Sequence, residues 1–166
     1  DMVVRLVRDH FTTDTSEVLV DNAESYNAVK NFMKIIMPRM VNRVKLYQDT
    51  RPIFSRYNIE NQIELLYQRK VPLPSGGSIV FDTGEAMVSI DVNSGKTTSA
   101  SELEETALKT NIEAADEIGR QLRLRDLGGL VVIDFIDMYH KKNQTLVEKE
   151  IKRVCKLDKA RINISR

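Results

Sequence analysis

Between Val88 and Asn93 apolar and polar residues alternate without a break, Val88-Ser89-Ile90-Asp91-Val92-Asn93, a period that no helix satisfies. An extended strand sends Val88, Ile90 and Val92 to one face and Ser89, Asp91 and Asn93 to the other. Residues 78–82 give a second strand, joined to residues 86–92 near Thr83-Gly84-Glu85 as a hairpin. A third run, Leu130-Val131-Val132-Ile133, is apolar throughout, as expected of a strand covered on both faces. It ends in Asp134.

A helix is predicted between these strands. Ser101 and Glu104 form a capping box ahead of Leu103, Ala107, Ala114, Ile118 and Leu122, and Gly128-Gly129 is the expected stop. A helix over residues 141–157 and a strand over residues 161–165 complete this half. Before it, Val3, Val4, Leu6, Val7 and Phe11 suggest a helix and residues 17–21 a short strand. Residues 23–37 carry Tyr26, Val29, Phe32, Met33 and Ile36 on one helical face, ended by Pro38. Another strand lies around Val44 and Leu46, and a helix over residues 58–70 has Ile59, Ile63, Leu66 and Tyr67 as its expected buried stripe.

The densest Pro/Gly stretch, Val71-Pro72-Leu73-Pro74-Ser75-Gly76-Gly77-Ser78, marks the expected boundary. The fold class is therefore α/β, as two small mixed lobes, residues 1–74 and 75–166. Ser75-Gly76-Gly77 lacks the lysine and following helix of a phosphate-binding loop and reads as a turn.

With 166 residues, 42% of them hydrophobic, the chain is long enough to bury a core. It has no run of 18 apolar residues and no basic-then-apolar leader at its start. Asp1-Met2-Val3-Val4 opens mid-pattern and Ala160-Arg161-Ile162-Asn163-Ile164 stops in an alternation, so both ends read as cut from something longer. The single cysteine, Cys155, precludes an internal disulfide, fits a reducing compartment, and sits among Ile151, Val154 and Leu157 as a packing residue. His10 and His140 are far apart, and zinc-ligand spacing is absent. Net charge is +1, but basic residues gather at Arg120, Arg123 and Arg125, at Lys141 and Lys142, and from Lys149 to Arg161; a solvated helix face explains most such runs.

Asp91 and Asp134 put carboxylates where a core is expected. A buried carboxylate must be protonated, paired or bound to a cation, and strand ends in α/β sheets are where ligands gather. If the two end adjacent strands, their oxygens converge on one hard cation. Magnesium suits that arrangement, taking one or two carboxylates, several waters and substrate phosphate oxygens. Loop capping, or pairing with Arg120, Arg123 or Arg125, is the other reading of the same residues.

Several motifs point further: Ser78-Ile79-Val80, Ser89-Ile90-Asp91-Val92-Asn93, Leu103-Glu104-Glu105-Thr106, Thr110-Asn111-Ile112-Glu113-Ala114-Ala115, Arg120-Gln121-Leu122-Arg123-Leu124-Arg125-Asp126-Leu127-Gly128-Gly129 and Ile133-Asp134-Phe135-Ile136-Asp137-Met138. Together they resemble the catalytic region of the ribonuclease E/G family. The resemblance implies part of a ribonuclease H-like lobe over residues 1–74 and a deoxyribonuclease I-like catalytic lobe over residues 75–166. It implies a cytoplasmic, magnesium-dependent endonuclease for single-stranded RNA, leaving a 5′-phosphate and a 3′-hydroxyl. Asp91 and Asp134 match the two Mg2+ ligands and Asn93 the asparagine that holds the scissile phosphate. Arg161 matches an arginine near the pocket for the RNA 5′-monophosphate, and Lys96, the one basic residue of the loop Ser94-Gly95-Lys96-Thr97-Thr98-Ser99-Ala100, is the candidate substrate contact there. The resemblance also implies a homo-oligomer for the full-length protein and contacts with other RNA-processing proteins. A non-catalytic scaffold lobe is the alternative, and weak activity is expected of this piece alone, because the S1 and 5′-sensing modules are not in it.

Overall fold

The structure, a computed structural model, describes residues 2–95 and 100–165, the side chains of residues 100–102 excepted. The chain forms two compact units, Asp1–Glu60 and Asn61–Arg166.

In the first unit, α1 (Met2–His10), β1 (Val18–Val20), α2 (Ala23–Ile36), a 3-10 turn (Pro38–Arg43), β2 (Val44–Leu46) and the short α3 (Ile53–Arg56) follow in order. Asn22 caps α2 by accepting from the Ser25 N–H at 2.9 Å, and Pro38 stops it, as expected. β1 and β2 pair in parallel, Val18 opposite Val44, with α2 as the crossover such a pair requires. Val7, Val29, Met33 and Val44 form the buried core.

Across the division runs α4 (Ile59–Tyr67). Its expected apolar stripe is not buried: Ile63 and Tyr67 are exposed. The end of this helix is held instead through its backbone, where Arg125 donates to the carbonyls of Leu65 (3.0 Å) and Gln68 (2.8 Å).

The second unit contains one four-stranded sheet in the order β3 (Lys70–Pro72), β4 (Ser78–Thr83), β5 (Met87–Asn93), β6 (Leu130–Asp134). The first two pairings are antiparallel and β5–β6 is parallel, with α5 (Ala100–Leu124) as the crossover. The predicted hairpin is β4–β5, closed by the Gly84 N–H donating to the Met87 carbonyl. Ser75-Gly76-Gly77 is the β3–β4 turn, and Gly77 is required there. A Cβ on it would lie 2.6 Å from the Asn93 carbonyl oxygen and 2.8 Å from Thr110 Cγ2.

α5 and α6 (Lys141–Cys155) pack on one face of this sheet, burying Ile79, Phe81, Val88, Ile90 and Val92 against Ala114, Ala115, Ile118, Ile151 and Val154. Gly119 lets the two helices approach, since its Cβ would meet Val154 Cγ2 at 2.5 Å. Cys155 is buried in this core, and burial raises its thiol pKa above the ordinary value.

Three further expectations differ from what is observed. β6 is covered on one face only: Val131 and Ile133 are half-buried on the helix side, whereas Leu130 and Val132 are 61% and 45% exposed. An unbroken apolar run shows that both faces tolerate apolar residues, and here the helices occupy only one of them. α5 ends at Leu124, before Gly128-Gly129, because Asp126 takes the left-handed position (φ 51°). There the Leu127 N–H donates to the Leu122 carbonyl and the Asp126 N–H to that of Arg123, a Schellman closure. Residues 161–165 form no strand and are exposed; alternation alone supplies no partner for a strand's backbone groups.

Candidate functional site

Along β5 burial alternates strictly, leaving Met87, Ser89, Asp91 and Asn93 on the face away from the helices. β6 presents Leu130, Val132 and Asp134 in the same way. The parallel register sets Asp91 directly opposite Asp134. Register partners on adjacent strands share a face, and adjacent strands lie about 4.8 Å apart. The two carboxylates therefore form one rung at the C-terminal end of β6.

Both are exposed rather than buried. The desolvation cost expected from their apolar neighbours does not arise, because those neighbours point the other way. What brings the pair together is strand register. Two like charges on one rung repel unless a cation lies between them.

The arginines that offered another reading are engaged elsewhere. Arg120 pairs with Glu117 at 2.8 Å and reaches Gln62 at 3.1 Å. Arg123 donates to the Val154 carbonyl at 3.1 Å. Arg125 donates to Gln121 at 2.7 Å, holds the end of α4, and lies 4.4 Å over the Phe81 ring. Two basic residues of α6 are engaged in the same way, Lys152 with Glu148 and Arg153 with Glu150 and Asp116.

Asn93, two residues along from Asp91 on the same face, donates from Nδ2 to Asp91 Oδ2 at 2.7 Å. This fixes the orientation of the Asp91 carboxylate and uses one of the amide's two N–H groups. Lys96 lies outside the described residues. Arg161 is exposed, in the irregular segment after α6. Asp91, Asn93 and Asp134 are thus gathered on one face of the sheet.

Two residues not singled out as site candidates, Asn111 and Glu104, prove to organise the site's surroundings. Asn111 is fully buried on α5. Its Nδ2 donates to the Ile136 carbonyl at 2.8 Å and its Oδ1 accepts from the Ile136 N–H at 3.0 Å. Nearer the start of α5, Glu104 accepts from the backbone N–H groups of Tyr139 (2.9 Å) and His140 (3.1 Å) and from Asn143 Nδ2 (2.8 Å). The Tyr139 N–H in particular holds the Glu104 carboxyl below its ordinary pKa, with Asn143 and His140 adding to this. A carboxylate just before the N-terminus of α6 also complements the helix dipole. Glu104 was expected to cap its own helix; it holds instead the backbone just before α6 and the Asn143 side chain in the first turn of α6, and its expected partner Ser101 lies among the side chains outside the description. The signal for Asn111 was available: with Gln121 it interrupts the apolar stripe Ala107, Ala114, Ile118, Leu122, and a polar residue in a buried register must be hydrogen-bonded.

The rung offers two carboxylates open to solvent, without a third His, Cys, Asp or Glu gathered for a metal among the described residues. An all-oxygen, water-accessible pair suits a hard cation that keeps much of its hydration, and does not suit zinc.

Comparison with known proteins agrees with the motifs. The family described as "Ribonuclease E/G family" matches residues 1–166. The chain belongs to the ribonuclease E/G family. It is 54% identical over 166 residues to a protein named ribonuclease E from Haemophilus influenzae, covering 100% of this chain and 18% of that protein. It is 48% identical over 166 residues to ribonuclease E of Escherichia coli, covering 99% and 16%, and 35% identical over 161 residues to ribonuclease G of Escherichia coli, covering 97% and 33%. The chain thus spans less than a fifth of these ribonuclease E relatives and a third of ribonuclease G. In this family member the motif segments of α5 and of the β6 end meet at Asn111 and Ile136.

Proposed function

We propose that this chain carries the cleavage centre of an endoribonuclease that hydrolyses single-stranded RNA with magnesium, leaving a 5′-phosphate and a 3′-hydroxyl. The observation that carries the reading is the Asp91–Asp134 rung, found in a chain of the ribonuclease E/G family. Asp91 and Asp134 would hold Mg2+, and Asn93 keeps Asp91 oriented for it. When bound, magnesium supplies an activated water and positive charge against the phosphate. The second N–H of Asn93 is free in principle to donate to a phosphate oxygen, stabilising charge that develops during attack without adding negative charge to the site. Lys96 and Arg161 serve as phosphate contacts in the same proposal.

To the proposal also belong the assignment of residues 1–74 to a ribonuclease H-like lobe and 75–166 to a deoxyribonuclease I-like lobe, a cytoplasmic location, and homo-oligomerisation and contacts with RNA-processing proteins in the full-length protein. No helix among the described residues is long and apolar enough to cross a membrane. A second reading, a non-catalytic lobe that docks other RNA-processing proteins, draws on the exposed Met87, Leu130 and Val132 of the same sheet face.

The test is cleavage by the full-length protein of a 5′-monophosphorylated single-stranded RNA and of DNA of the same sequence, with magnesium or with EDTA. The expected result is cleavage of RNA alone, abolished by EDTA. Cleavage that survives EDTA, or no cleavage at all, contradicts the proposal. The 166-residue piece alone is expected to cut far more slowly, because positioning of the substrate is lost rather than the chemistry.

A further inference from the structure

We propose that Asn111 is a positioning residue for the carboxylate pair: by clamping the backbone of Ile136 from inside the core, it fixes the end of β6 and with it the direction of the Asp134 carboxylate. The inference rests on the metal-binding reading given above and concerns what makes that site rigid.

Asp134 is the last residue of β6, with Phe135 and Ile136 following in irregular backbone. β6 is the end strand of its sheet, so only β5 restrains it through ladder hydrogen bonds. A terminal residue of an end strand would ordinarily fray. Here the backbone two residues further on is gripped at both its N–H and its C=O by one fully buried side chain. The grip is bidentate, so it sets the rotation of the peptide segment as well as its distance from α5.

The same stretch of α5 also abuts the other strand of the site. Thr110 is buried against Gly77, and Gly77 packs on the carbonyl of Asn93 so closely that a Cβ would lie 2.6 Å from it. Glu113, one turn along, accepts from the Ser75 N–H at 2.9 Å and anchors the turn that carries Gly77. Residues 110–113 of α5 therefore brace both strand ends, the β5 end through the Ser75–Gly77 turn and the β6 end through Asn111. A buried amide is costly unless both its donor and its acceptor are satisfied. Leucine or methionine would fill the position with less demand on geometry, but neither could hold a backbone in a set orientation. Metal ligation by only two carboxylates depends on that orientation, since each must present an oxygen to one point.

The experiment measures Mn2+ binding by electron paramagnetic resonance on the full-length protein without RNA, alongside thermal melting in EDTA. Four variants are compared with the parent: Asn111→Ala, Asn111→Asp, Ile118→Val and Asp134→Asn. Ile118 is fully buried on α5 and its side chain cannot hydrogen-bond to the site, so its variant reports loss of core packing. Asn111→Asp keeps the acceptor for the Ile136 N–H and the volume of the side chain, and serves if Asn111→Ala does not fold. The expected result is a Mn2+ dissociation constant raised about tenfold in Asn111→Ala and by a smaller factor in Asn111→Asp, with Ile118→Val unchanged although its melting temperature falls. Equal Mn2+ affinity in parent and both Asn111 variants overturns the inference, as does an equal weakening in Ile118→Val. If Asp134→Asn binds Mn2+ as the parent does, the metal reading itself fails, and this inference with it.

Discussion

The two faces of the four-stranded sheet are built from the same strands and do opposite work. On the helix side Ile79, Phe81, Ile90 and Val92 are buried beneath α5 and α6. On the other, Asp91, Asn93 and Asp134 stand in solvent one residue out of phase with them. The comparison shows how a rigid site is made without burying its charges. The period of two places each carboxylate between core anchors, Asp91 between Ile90 and Val92 and Asp134 after Ile133, so their backbone is fixed while their oxygens remain hydrated. A substitution on either face can therefore be classified by what it breaks, geometry or chemistry.

The largest expected effect is on the outer face. Asp91→Asn or Asp134→Asn in the full-length protein should lower RNA cleavage about a thousandfold or more, about 4 kcal/mol of transition-state stabilisation. The melting temperature in EDTA should hold or rise, because repulsion between like charges is relieved. Near-parental cleavage by either variant would break the division of labour between the faces.

On the inner face the expected effect is on stability. Ile90 is fully buried, so Ile90→Ala should cost about 2–5 kcal/mol by denaturant unfolding, whereas Val132→Ala on the outer face of β6, where Val132 is 45% exposed, should stay under about 1 kcal/mol. Equal costs would mean that the outer face is as tightly packed as the inner one.

A smaller effect sharpens the role of α5. The Glu104 carboxyl is held below its ordinary pKa by the N–H of Tyr139. A carboxyl depressed in the folded state adds stability above its unfolded pKa, about 4.3, and that stability disappears as pH falls through the lower folded value. Glu104→Gln should therefore melt below the parent near neutral pH, with the gap narrowing as the pH is taken from about 6 to about 3. A gap independent of pH would show that the Glu104 charge does not hold the start of α6.

Much of this arrangement was legible in the residues. The alternation from Val88 to Asn93 specified both a strand and the face on which Asp91 lies, and the hairpin to β4 followed from Thr83-Gly84-Glu85. Sequence could say only that Asp91 and Asp134 would converge if they ended adjacent strands; the parallel register of β5 and β6 sets them opposite each other. Other features depend on long-range geometry that local pattern does not encode. The run Leu130-Val131-Val132-Ile133 carries no record of which face the helices will cover. Ile63 and Tyr67 have helical spacing, yet spacing does not supply something to bury them against. Asp126 shows that a left-handed helix end can form without glycine, so Gly128-Gly129 misplaced the stop. The Asn111 clamp joins residues 25 apart in sequence, which is why it had to be seen in the fold.

In the proposed site, Asp91 and Asp134 share one divalent cation on the open face of the sheet. Anomalous diffraction from crystals of the protein grown with Mn2+ tests it most directly. One anomalous peak is expected within ligand distance of an oxygen from each carboxylate, lost in Asp134→Asn crystals. Carboxylates turned away from each other, with manganese bound elsewhere and neither Asp91 nor Asp134 among its ligands, would contradict it.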